Sequence, residues 1–265
     1  VKVPAAIKPL AFAVLRAVPP LERRLLPSAG YRRIGREEAA RLAAQGSGWK
    51  SAGSAAWQQQ SYDRLLEAMA AGAPRRDLAI AAEAVDAAGL IEPSLLEVGC
   101  GGGYHSAVFA HLCRSQPTYL GSDFSPDMIA GARRRFPDAA FEVADATALP
   151  YADGAFDIVF EGVSLMHILD YRAAIAEIAR VARSHVVFHC VPVFDDHGTE
   201  YLFKYAYGEP VTEAVYGRAE LEAAISGAGL VIERSWDALA YDVYPVIGRH
   251  SHSRTYLCRK ADGAR

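Results

Sequence analysis

Downstream of Asp77, short apolar runs alternate with helix-length stretches in a regular order. Asp77 is placed to cap a helix running through Ala88, and Gly89 to end it, because glycine readily takes the left-handed conformation that closes many helices. Leu95 to Val98 reads as an apolar strand, followed by a glycine cluster and a helix from about Tyr104 to Cys113. The unit then recurs. A second strand is predicted at Tyr119–Ser122, a helix at Pro126–Arg135 with proline in its first turn, and a third strand at Phe141–Val143. A fourth strand follows at Phe156–Phe160, then a helix at Tyr171–Ala182 and a long valine-rich strand at His185–Val193. Such alternation predicts a parallel sheet with helices on both faces, since parallel strands are joined by crossovers rather than tight hairpins. Arg218–Ala228 reads as a last helix, with strands at Val231–Trp236 and Ser253–Lys260. Those two strands lack a long helix between them, which predicts an antiparallel edge.

The first 75 residues differ. Ile7, Leu10, Val14 and Leu15 have helical spacing before Pro19-Pro20, and a further helix is predicted over Gln58–Ala71, closed by Gly72 and Pro74. The expected organisation is a helical extension or cap over 1–75 and an α/β domain over 76–265, with an aromatic-rich insert at 194–217. Basic residues dominate the first 45 positions, so this leader either packs or is solvated, or touches an anionic membrane surface peripherally. The apolar run Leu10–Leu15 is far shorter than the roughly 20 residues of a membrane-spanning helix, and it meets the pattern of a secretory signal only weakly.

Composition narrows the classes of function. The chain of 265 residues is 51% hydrophobic and 22% charged, which fits a folded domain with a sizeable core. A formal net charge of -3 gives no general attraction to phosphate polymers, so nucleic acid is not an expected partner. Cys100, Cys113, Cys190 and Cys258 are scattered without a CxxC pair, and are read as reduced thiols of a cytoplasmic protein.

The most informative segment is Glu97-Val98-Gly99-Cys100-Gly101-Gly102-Gly103, between a strand and a helix. Glycines there let the chain turn sharply and let a ligand approach the main chain, while the helix start offers free N–H groups. Asp123 ends the second strand, where a carboxylate can accept hydrogen bonds from ribose hydroxyls. Asp145 follows the third, where it or the amides of Ala146 and Thr147 can meet an adenine edge. All three lie at carboxyl ends of strands, where open α/β sheets bind ligands. Each carboxylate alone is equally a helix cap or a solvated loop charge. A nicotinamide or flavin dinucleotide is the competing ligand, but its fingerprint wants a small residue where Tyr104 stands when counted from Gly99; counted from Gly101 the place holds Ser106.

Together these motifs resemble the class I S-adenosylmethionine-dependent methyltransferases of the small-molecule type, over roughly Asp77 to Lys260. The carriers are Leu95 to Gly103, Gly121-Ser122-Asp123-Phe124-Ser125-Pro126-Asp127-Met128, Ala144-Asp145-Ala146, Leu149-Pro150, Phe156-Asp157-Ile158-Val159 and Leu165-Met166-His167. The resemblance implies a doubly wound, seven-stranded, mostly parallel sheet (a Rossmann-like methyltransferase fold) whose last strand is antiparallel. It further implies that Glu97 with Gly99, Gly101 and Gly103 holds the methionine part of the cofactor and Asp123 the ribose. Phe124 and Met128 would sandwich adenine, Asp145 and Ala146 read its edge, and Glu161 and Gly162 lie beside the sulfonium. Ordinary core packing is the alternative for Phe124 and Met128.

Methyl transfer by in-line attack asks the protein to align a nucleophile and exclude water. His167 is the candidate base for a hydroxyl acceptor, against a purely loop-shaping role. No metal is expected: His185 and His189, four apart on a strand, stand about 13 Å apart at roughly 3.3 Å per residue. Acceptor selection is assigned to whatever covers the open end of the sheet, with Trp57, Tyr62 and Tyr205 as candidate stacking residues for a ring or sugar. The expected activity is transfer to an oxygen or nitrogen of a small metabolite or saccharide. The alternatives are a cofactor-binding regulatory protein without turnover and a dinucleotide-dependent oxidoreductase.

Overall fold

The structure is a computed structural model that describes residues 30–44, 62–206 and 209–261. The leader helix expected before Pro19 and the candidate Trp57 lie outside the described residues.

Apolar strands with alternating faces build the core. Strands β2 (Ser94–Val98), β3 (Thr118–Asp123), β4 (Ala140–Val143), β5 (Phe156–Gly162) and β6 (Ala182–Phe194) run parallel in the order β4-β3-β2-β5-β6. Strand β10 (His252–Lys260) is inserted antiparallel between β6 and β9 (Leu230–Asp237). These seven strands form the predicted sheet with its last strand reversed. Side chains alternate across it: Leu95, Ile158, Val187 and Leu257 pack on one face. Leu96, Val159, Val186 and Cys258 pack on the other.

Helices α2 (Arg76–Asp86) and α3 (Tyr104–Leu112) cover the first face through Leu78, Val85, Val108 and Phe109. Helices α5 (Tyr171–Val181) and α6 (Arg218–Gly227) cover the second through Ile175, Ile178, Leu221 and Ile225. Helix α4 (Pro126–Arg135) seats Ile129 and Ala132 against Phe141 and Cys100. Residues 62–70 are helical, within the helix predicted over 58–71. Among the described residues no helix is long and apolar enough to cross a membrane.

Asp77 corrects one expectation. The N-cap of α2 is Arg75, and the buried Asp77 carboxylate takes the Arg75 Nε and Nη2 donors, each at 2.6 Å, instead of capping free amides. A bidentate guanidinium compensates a buried carboxylate better than peptide N–H groups do.

The segment read as an aromatic insert is a hairpin of β7 (Glu200–Ala206) and β8 (Glu209–Gly217). Strand β1 (Arg32–Ile34), from the region expected to be helical, adds to its outer edge, and α1 (Arg36–Ala44) follows. The last two residues of β6 pair in parallel with β8, so ten strands form one continuous sheet. The junction depends on a bulge: His189 and Cys190 lie opposite Thr255 alone, and Cys190 has φ +54°. Thr255 Oγ1 bonds His189 Nδ1 at 2.9 Å and accepts from Cys190 N at 3.3 Å. Bulges bend the strand that carries them, and here the end of β6 is turned toward β8.

Buried Tyr216, on β8, donates its hydroxyl to the Leu165 carbonyl at 2.6 Å and so ties the appended strands to the turn after β5. Tyr216→Phe leaves that buried carbonyl without its partner and is expected to lower stability by about 1–2 kcal/mol. Chemical denaturation of the two proteins under identical buffer measures this.

Candidate active site

The chain after β2 must turn back over the sheet edge within a space that excludes side chains. Gly99 has φ +73°, and a Cβ there would overlap the Ser164 hydroxyl. Gly101 N donates to Asp123 Oδ2 at 2.9 Å, and Ser125 N donates to Asp123 Oδ1 at 2.9 Å. One carboxylate thereby fixes the glycine loop to the tip of β3 and shapes the start of α4, whose N-cap Ser125 accepts from Met128 N.

A cavity of about 450 Å³ opens at the carboxyl ends of β2, β3, β4 and β5. Of the predicted cofactor residues, Gly99, Gly101, Asp123, Phe124, Met128, Asp145, Ala146 and Gly162 line it. Met128 is buried, whereas Phe124 is 38% exposed and offers its ring at the mouth. Asp145 is exposed and folds over Thr147, accepting from its N at 2.8 Å and its Oγ1 at 2.7 Å.

Three predicted residues stand behind this wall rather than on it. Glu97 is fully buried and spends both oxygens inside, on His105 Nδ1 at 2.7 Å and on the Tyr119 hydroxyl at 2.5 Å. Gly103, with φ +78°, starts α3 where an added Cβ would lie 2.6 Å from the Phe141 ring; its smallness serves helix-to-strand packing. Glu161 turns Oε1 toward Ser164 N, Ser164 Oγ and Leu165 N, at 2.6, 2.7 and 2.6 Å. Its Oε2 is buried without a partner.

Burial raises the pKa of two acids, Asp123 and Glu161. It pushes Asp123 up to about 6, opposed by the two backbone amides. It pushes Glu161 up to about 7, opposed by the donors from Ser164 and Leu165. The unpartnered Oε2 is where a proton on Glu161 disturbs least.

His167 closes the 3-10 turn Leu165–His167 and lines the cavity. Its Nδ1 lies 3.0 Å from the Thr212 carbonyl, which can only accept, so Nδ1 carries a proton. Burial lowers its pKa, while nearby Glu213 favours the imidazolium.

Tyr62 lines the cavity and stacks on Tyr104 with centroids 3.7 Å apart. Tyr205 does not reach it: in β7 alternate residues face opposite ways, and Tyr205 joins Phe203, Ile34 and Ala39 in an apolar cluster. Lys204, between those aromatics, is the residue that faces the cavity, with Glu213 of β8 and the rings of Tyr31 and Tyr241. Sequence reading missed all four, although a lysine flanked by aromatics in an alternating stretch was a usable signal. Asp77, His189 and Cys190 also meet, with donor atoms within 4.8 Å of one another. Arg75 already occupies both Asp77 oxygens, and its positive charge opposes a cation there.

Residues 96–190 match the methyltransferase domain family. The chain is similar to a demethylmenaquinone methyltransferase of Paenarthrobacter aurescens, 30% identical over 153 residues, 54% of this chain and 57% of that protein. It is also similar to the O-methyltransferase cnsE of Penicillium expansum, 36% identical over 109 residues, 39% of each. The matched stretches span 27% to 57% of the lengths of such curated relatives. Among solved structures, a putative sarcosine dimethylglycine methyltransferase from Galdieria sulphuraria superposes with a TM-score of 0.55 at 12% identity, covering 72% of this chain and 86% of that one. A S-adenosylmethionine-dependent methyltransferase from Clostridium acetobutylicum gives 0.54 at 15%, covering 77% and 97%. The cyclase SpnF gives 0.55 at 20%, covering 70% and 80%. At these identities the structural likeness is one of fold, and it joins the matched segment and the sheet order described above. The chain thus has the Rossmann-like methyltransferase fold, and its residues 96–190 carry the similarity to the methyltransferase domain family.

Proposed function

We propose that the chain binds S-adenosylmethionine in this cavity and transfers its methyl group to an oxygen or nitrogen of a small acceptor. The observation that carries the reading is the convergence of the Gly99–Gly101 cradle, the Asp123 carboxylate, the Asp145–Ala146 turn and His167 on one cavity. The residues fit an adenosyl ligand: a side chain cannot enter the cradle at Gly99, and Asp123 presents a buried acid with only two amide donors. In this assignment Asp123 receives the ribose hydroxyls, Phe124 and Met128 flank adenine, Asp145 and Ala146 meet its edge, and Gly99 and Gly101 face the methionine part. Glu97 and Glu161 support the loop and the turn from behind.

When bound, S-adenosylmethionine supplies an electrophilic methyl group on a sulfonium sulfur. The protein's part is alignment and exclusion of water, with the Tyr62–Tyr104 stack forming a closed wall beside the loop. In this reading His167 is the base for a hydroxyl acceptor, and the engagement of Nδ1 by the Thr212 carbonyl supports Nε2 as the atom that takes the proton. Tyr104, buried at the start of α3, occupies the place where a dinucleotide fingerprint needs a small residue, which disfavours an oxidoreductase. The likeness to a cyclase is a reminder that this fold alone does not fix the reaction. The relatives named as methyltransferases, one of them an O-methyltransferase, support methyl transfer here.

By calorimetry the protein is expected to bind S-adenosylmethionine but not NAD. Asp123→Ala is expected to weaken that binding by about 1–3 kcal/mol, roughly 5- to 150-fold in Kd, through lost charged hydrogen bonds. An unchanged Kd in a folded variant removes the ribose assignment, and NAD binding without S-adenosylmethionine binding removes the cofactor.

The titration of Asp123 sets a pH dependence. The ribose hydroxyls donate to the carboxylate, so the ligand favours the ionised form, and protonation removes its acceptor. Affinity is therefore expected to be flat above about 6 and to fall as pH drops below it, by up to about tenfold per pH unit. Asp123→Asn should bind weakly and lose this slope.

A further inference from the structure

The cavity has a second polar end that the cofactor residues do not use. Lys204 Nζ lies 2.6 Å from Glu213 Oε1 and donates to the Tyr31 hydroxyl at 2.8 Å. Tyr241 donates to Glu213 Oε2 at 2.8 Å, and its hydroxyl lies 3.3 Å from that of Tyr31. Glu213 is 3% exposed, and the ammonium sits 4.5 Å from the Tyr31 ring centroid. All four residues line the cavity together with His167. All four also lie outside the segment that matches the methyltransferase domain family. They come from the chain before β1, from β7, from β8 and from the loop after β9, so only the appended strands assemble them.

Burying an ammonium and a carboxylate is costly, and a structural pair at this place could be replaced by apolar side chains at little loss. Here the pair lines a ligand-sized cavity. An ammonium has three donors and no lone pair. Among the described residues Glu213 and Tyr31 take two of those of Lys204, and Lys204 lines the cavity, where the third can meet a ligand. A group facing it must therefore offer a lone pair, which suits an oxygen and not a protonated amine. The same cavity is lined by the Tyr31 and Tyr241 rings, on which a planar group can stack, and by Met166 and Ile168 beside His167.

We propose that Lys204, set by Glu213, Tyr31 and Tyr241, is the acceptor-recognition site, and that it selects a planar ring bearing a hydroxyl oxygen. The inference rests on the methyltransfer reading of the same cavity. It narrows the acceptor from any small oxygen or nitrogen nucleophile to a phenolic or enolic one, held by Lys204 with its hydroxyl within the reach of the cavity wall that includes His167.

The test titrates para-nitrophenol and nitrobenzene, which differ by the hydroxyl, into the protein loaded with S-adenosylhomocysteine. Wild type is expected to bind para-nitrophenol at least about tenfold more tightly than nitrobenzene, as a charge-assisted hydrogen bond provides. Lys204→Met alone strands the Glu213 charge and can unfold the site, so the decisive variant is the double substitution Lys204→Met with Glu213→Gln. This variant keeps the bulk of both side chains and their joint neutrality. It is expected to bind the two probes equally while retaining S-adenosylhomocysteine affinity within about twofold, because the cofactor contacts lie elsewhere in the cavity. Equal binding of the probes by wild type, no binding of para-nitrophenol, or a preference that survives in the double variant overturns the proposal. Failure to bind S-adenosylhomocysteine at all overturns the cofactor reading instead, and the probe titration on unloaded protein then still reads the cluster.

Discussion

The Asp123 carboxylate bonded to the amides of Gly101 and Ser125 is the tie on which the rest of the site depends. It joins the tips of two neighbouring parallel strands that no hairpin connects. In the loop after β2 only Cys100 carries a side chain, packed against Ile129, Ala132 and Phe141, while Gly99 must pass against Ser164 and tolerates none. Without an acid at the end of β3, the buried Gly101 amide would lack its acceptor, and an unpaired buried donor is costly. The same oxygen atoms that organise the loop face the cavity, so the scaffold and the proposed ribose contact are one group.

Behind this tie lies a second layer of acids. Glu97 receives His105 and Tyr119, and Glu161 gathers the donors of Ser164 and Leu165. Neither side chain forms the cavity wall, yet each orients an element that does. Glu161 fixes the turn that presents His167, and Tyr216 holds the same turn from the appended sheet. The turn is thus held from the core and from the extension at once, which couples the Rossmann-like frame to the appended strands.

That extension exists because β6 continues past the point where a regular strand would stop. The bulge at His189–Cys190 lets the strand bend while Thr255 satisfies the displaced groups. Two residue pairs then suffice to dock β8, and the hairpin brings Lys204 and Glu213 over the open end of the sheet.

Periodicity in the sequence determined most of the frame: the strands from Leu95 to Val193, the helix Pro126–Arg135 and the reversed last strand all follow from local apolar pattern, glycine and proline. The motif also placed Gly99, Gly101, Asp123 and Asp145 at strand ends, since order along the chain and the parallel topology together force those tips to one edge. Tertiary structure decided the rest. Glu97 and Gly103 belong to the same motif as Gly99 but serve the interior: alternation along β2 points Glu97 at His105 and Tyr119, and Gly103 passes beneath the Phe141 ring. Tyr205 and Lys204 are neighbours whose roles were exchanged by strand alternation, and only pairing with β1 and β8 fixes which face is inside. The cluster of Tyr31, Lys204, Glu213 and Tyr241 spans more than two hundred residues, so no local window contains it; long-range pairing across the sheet creates it.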